Sequence, residues 1–106
     1  MQEYVALSLF ELSTNDDILY EENFSLVKAL NIDEAKKLIE KYSIELEDTY
    51  NNVEQQKVSK KFIKLIDINE VLYYDFENNI RDIYSRHFKD LESYKKFENL
   101  IEGEKK

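Results

Sequence analysis

Residues 3–12, Glu3-Tyr4-Val5-Ala6-Leu7-Ser8-Leu9-Phe10-Glu11-Leu12, decide the fold. Successive side chains of a strand point to opposite faces. Val5, Leu7 and Leu9 therefore form one apolar face, and Tyr4, Ala6 and Phe10 the other. A strand that is apolar on both sides is covered on both sides, so this one belongs inside a sheet. Ser13-Thr14-Asn15-Asp16-Asp17 is a polar turn cluster. Residues 20–30 resume an extended pattern with Phe24, Leu26 and Val27, which predicts a hairpin with an acidic tip.

Working outward, Asn31 with Glu34 three residues on has the pattern of a helix capping box. Ala35, Leu38, Ile39, Tyr42 and Leu46 follow as the apolar face of an amphipathic helix over 31–48. Residues 57–72 and 80–88 (Ile-Arg-Asp-Ile-Tyr-Ser-Arg-His-Phe) are the third and fourth strand candidates. Asp90 caps a last helix whose Leu91, Tyr94, Phe97 and Ile101 are expected to face the core, ending at Gly103. The expectation is one α+β domain over 1–106. It has a four-stranded, mainly antiparallel sheet in order 2-1-3-4, a helix packed on one face and a C-terminal helix. The first strand fills the gap left by the crossover between the second and third.

Composition narrows the function. The 106 residues carry 23 acids and 15 bases, a net charge of −8. Residues 1–56 hold 13 acids and 4 bases (−9), and residues 57–106 hold 10 and 11 (+1). An acidic chain is a poor direct binder of nucleic-acid backbone. Without cysteine there is no disulfide scaffold, thiol nucleophile or thiolate metal site. No apolar run approaches the roughly 20 residues of a membrane span, and Met1-Gln2-Glu3-Tyr4 lacks the basic and apolar regions of a signal peptide. A cytoplasmic location without membrane partners is expected. One glycine and no proline exclude glycine-rich phosphate loops and a nucleophile elbow. Neither a cofactor nor a second copy is specified by these patterns.

Three groups of residues could carry chemistry. Asp67, Glu70 and His87, the one histidine, could serve a small metal-dependent hydrolase or nuclease if they converged. Lys57, Lys60, Lys61 and Lys64 with Phe62 form the basic cluster; as strand residues they split between faces, which suits edge protection or internal pairing with the acidic half. The acids around the first hairpin, Glu11, Asp16, Asp17, Glu21 and Glu22 with Tyr20, and Glu45, Glu47 and Asp48 at the helix end, form a segregated acidic surface. Such a surface speeds association with a basic protein by long-range attraction.

Several short motifs resemble an uncharacterised bacterial family, domain of unknown function 4288. They are Glu21-Glu22, Leu26-Val27-Lys28-Ala29, Asp33-Glu34-Ala35, Tyr50-Asn51-Asn52, Val58, Lys61-Phe62, Asp67 and Ile83-Tyr84-Ser85-Arg86, within residues 3–88. The family turn usually carries a glycine where this chain has Glu54-Gln55-Gln56, and a tryptophan where it has Lys60. The resemblance implies an α+β fold and no catalytic residues. The expected function is that of a non-enzymatic, protein-binding inhibitor. Its most concrete form is a bacterial immunity protein neutralising a basic toxin domain, such as a nuclease or another nucleic-acid enzyme; the metal-dependent hydrolase is the alternative.

Overall fold

The structure, a computed structural model, describes residues 1–72 and 79–98. Its elements are β1 (Gln2–Ser13), β2 (Ile18–Ala29), α1 (Ile32–Glu45), β3 (Asp48–Asn51), β4 (Lys57–Glu70) and α2 (Leu91–Phe97). The four strands form one sheet in the order β2-β1-β4-β3, with every neighbouring pair antiparallel.

The doubly apolar strand is interior, as expected: Tyr4, Val5, Ala6, Leu7, Ser8 and Phe10 of β1 are buried. β1 and β2 form the expected hairpin, in unbroken register from Ser13↔Ile18 to Gln2↔Ala29. Thr14 builds its turn. Its N–H donates to the Asp17 carbonyl at 2.8 Å, and its hydroxyl oxygen accepts from the N–H groups of Asp16 and Asp17 at 3.3 and 3.1 Å. Against β4 the register shifts twice, at Leu7/Ser8 and Leu9/Phe10. Such bulges bend and twist a strand, and the sheet curls into a half-barrel.

The capping box closes α1. The Asn31 side chain accepts from the Glu34 N–H at 2.9 Å, and the Glu34 carboxylate accepts from the Leu30 N–H at 3.1 Å. The helix stops at Glu45, short of Asp48, and the packed stripe is Ala35, Ile39 and Ser43. Leu38 and Tyr42, expected in the core, are 43% and 48% exposed. The reason is close approach: small residues on the helix meet Ala6, Ser8 and Ala29 of the sheet, and Ile68 completes the cluster. The buried hydroxyls of Ser8 and Ser43 satisfy each other at 3.4 Å.

The fourth strand is not 80–88. It is β3, whose four exposed residues pair with Lys60–Lys57 and cover the free edge of β4. Residues 80–88 contain no helix or strand; they form a strap against the sheet face opposite α1. There Tyr84 donates to Asp67 Oδ2 at 2.6 Å and meets the Phe24 ring edge-on at 6.0 Å. Arg81 pairs with Glu3 at 3.5 Å, and Arg86 lies 3.8 Å from Asp67. Side chains rather than backbone dock the strap, which is why apolar alternation misread it as a strand.

Asp90 caps α2, its carboxylate accepting from the Glu92 and Ser93 N–H groups at 3.1 and 3.3 Å. The helix buries no residue, so Leu91, Tyr94 and Phe97 do not enter the core; Tyr94 stacks on Phe88 at 4.8 Å instead. Ile101 and Gly103 lie outside the described residues.

Candidate functional site

The register places the acids. Asp48 faces Lys60, Lys60 faces Leu12, and Leu12 faces Leu19. The β1–β2 turn and the α1–β3 junction therefore sit at one end of the sheet. The two acidic groups, separate in sequence, share that end of the sheet: Asp16, Asp17, Tyr20 and Glu22 from the hairpin, and Glu45, Glu47 and Asp48 from the helix end.

Two of the acids, Glu21 and Glu47, are already engaged within the sheet. Glu21 lies opposite Phe10 on the α1 side, and its Oε1 is 3.0 Å from the Lys60 ammonium. That ammonium also sits 4.7 Å over the Phe10 ring, an attraction the ring quadrupole supplies. Glu21 Oε1 is shielded from solvent and, among the described residues, has only this cation opposite it. Glu47 reaches back to accept from the Phe62 N–H at 3.0 Å. Glu11 lies opposite Lys61. The exposed acids at this end are Asp16, Asp17, Glu22, Glu45, Glu47 and Asp48, with Tyr20 beside them; Glu21 is held within the sheet by Lys60, and Glu11 is half-buried.

Among the described residues Lys60 alone of the four lysines closes an ion pair, with Glu21, while Lys57, Lys61 and Lys64 are exposed. Lys60 and Phe62 lie on the α1 side, where Phe62 tilts against Phe10 at 5.6 Å. Lys64 faces Leu9 and so lies with Lys61 on the strap side, because the shift between Leu9 and Phe10 reverses the alternation.

Asp67, Glu70 and His87 do not converge. Asp67 pairs with Leu7 and Glu70 with Tyr4, positions on opposite faces of the sheet, and His87 is exposed on the strap. Among the described residues no three His, Asp or Glu side chains could hold a metal ion. Asp67 instead takes bonds from Tyr84, from the Asn69 side chain at 3.1 Å and from the Ile68 N–H at 2.9 Å. Burial, followed by the hydrogen bond and charge of Asp67, pushes the Tyr84 hydroxyl up to about 12. The expected strand over 80–88 carried no sign of this polar contact of Tyr84; its only signal was an acid and a tyrosine far apart in the chain.

Among the described residues no helix is long and apolar enough to cross a membrane. The fold and this end define a small α+β protein that presents carboxylates and a tyrosine on the rim of a curled sheet. The chain belongs to the family described as Domain of unknown function (DUF4288), which matches residues 3–85, from β1 to the Tyr84 strap, and leaves α2 outside. No curated protein and no solved structure matches it.

Proposed function

We propose that the protein is a small protein-binding inhibitor whose acidic end engages a basic partner. Its most concrete form is an immunity protein that neutralises a bacterial toxin acting on nucleic acid, in the cytoplasm. The observation that carries the reading is the gathering of Asp16, Asp17, Glu45 and Asp48, exposed, at one end of the sheet beside Tyr20. A cluster of one sign raises the encounter rate with an oppositely charged cleft, and an exposed tyrosine supplies contact area at low entropic cost. The test reverses these four acids to lysine, from −4 to +4, and measures association with a basic nuclease domain by stopped flow. Association is expected to slow at least about tenfold at 0.01 M salt, where the Debye length is about 30 Å, and less at 0.1 M, where it is about 10 Å. Unchanged association by a folded variant overturns the reading.

A further inference from the structure

The two edges of the sheet differ in how they end. β3 is four residues long, whereas β2 has twelve and, among the described residues, only β1 beside it. Natural edges are blunted by shortness, bulges, proline or inward-pointing charge. β2 is long, has no proline and pairs with β1 without a bulge. Its one charge on the α1 side, Glu21, is held by Lys60.

The strap-side face of β2 reads Glu22, Phe24, Leu26, Lys28 at every second residue. All four are exposed, Phe24 at 57% and Leu26 at 61%, and neither Glu22 nor Lys28 joins an ion pair among the described residues. This pattern is complementary to its own reverse. When two such strands run antiparallel with Ser25 facing Ser25, Glu22 faces Lys28, Phe24 faces Leu26, and both pairs occur twice. Paired positions then have the same parity, so apolar and charged side chains meet on one face and the backbone ladder is continuous. On the α1 side Glu21 comes opposite Ala29, small and fully buried, so its pairing with Lys60 is undisturbed.

We infer that β2 is a self-association edge: two copies of the chain join β2 to β2 antiparallel about Ser25, and two four-stranded sheets become one of eight strands. A foreign strand would have to supply a base opposite Glu22, an acid opposite Lys28 and apolar residues between. A second copy already carries that order. The inference is separable from the proposed inhibitor role: Asp16, Asp17, Glu45 and Asp48 lie outside the paired segment, and of the exposed acids at that end only Glu22 lies within it.

Sedimentation equilibrium of the full chain tests it. The expected mass is twice 12.8 kDa, 25.6 kDa. Glu22→Lys and Lys28→Glu each place like charges face to face twice and should weaken association on the order of tenfold, while the double variant restores it. The chain has no cysteine, so Ser25→Cys should give a disulfide-linked dimer on mild oxidation. Asn23→Cys, opposite Val27, should not. Cross-linking settles the register if a charge variant fails to fold by circular dichroism. A 12.8 kDa species at every concentration, a dimer indifferent to either single reversal, or equal cross-linking at positions 23 and 25 overturns the inference.

Discussion

The two faces of the sheet are covered by different means. On one, α1 lies on Tyr4, Ala6, Ala29 and Ile68 through Ala35 and Ile39, an apolar contact closed by small residues. On the other, an irregular strap is tied by Tyr84 to Asp67 and by Arg81 to Glu3, while Phe24 and Leu26 beside it remain over half exposed. Apolar burial contributes about 25 cal/mol per Å², whereas a partly exposed ion pair contributes about 0–1 kcal/mol. Val5 and Leu7 of β1 are nonetheless buried on the strap side, at 2% and 1% exposure, so both faces bury apolar core and the polar ties of the strap add only small increments to it.

The largest effect expected from this contrast is at the helix. Ile39→Ala should cost about 2–5 kcal/mol in urea denaturation, and Leu38→Ala, one residue away but turned outward, about 0.5 kcal/mol. Equal losses would break the distinction. The strap gives a smaller and pH-dependent effect. Folded Tyr84 keeps its proton up to about 12, against 10.0 for the free side chain. Between those values the unfolded chain has released a proton that the folded one still holds. Stability should thus fall as pH rises through that window. Tyr84→Phe should flatten this slope and, by deleting a bond to a charged acceptor, cost about 1 kcal/mol at neutral pH. The smallest effect lies beyond the strap. The Ser93 hydroxyl and N–H hold the Asp90 carboxyl below its usual range, so the cap weakens as pH falls through that lowered value. α2 buries nothing, so Asp90→Ala should leave the denaturation midpoint unchanged and appear only as faster amide exchange within α2.

The sequence revealed what rested on large, regular signals. β1 announced its interior place because both of its faces are apolar, and Asn31 with Glu34 fixed the start of α1. The helix face was misjudged because Leu38 and Tyr42 outweigh Ala35 and Ser43 in any reading of hydrophobicity, while close packing selects the small residues. β3 left no signal, since all four of its residues are exposed and polar or aromatic. The turn after it is held by a side chain. Asn52 accepts from the N–H groups of Glu54 and Gln56 at 2.9 and 3.0 Å, which lets Gln55 take φ 65, a conformation glycine adopts more easily. The resembling family usually has a glycine in this turn. The acids of the candidate site were legible one by one. Their union at one end, and the withdrawal of Glu21 to Lys60, depend on strand order and register, which no local pattern carries.

The central position of β1 has a consequence for biosynthesis. β2 can pair with it as soon as the hairpin leaves the ribosome, because Ser13 and Ile18 are separated only by a turn. The other neighbour, β4, ends at Glu70, 41 residues after β2 ends at Ala29. At about 5–20 residues per second that interval lasts roughly 2–8 s. Throughout it the nascent hairpin shows Val5 and Leu7 on one side and Phe10 on the other, with one edge of β1 open. Nascent chains of this protein therefore pass through a stage that can pair with one another, or be bound by chaperones, before α1 and β4 close the core.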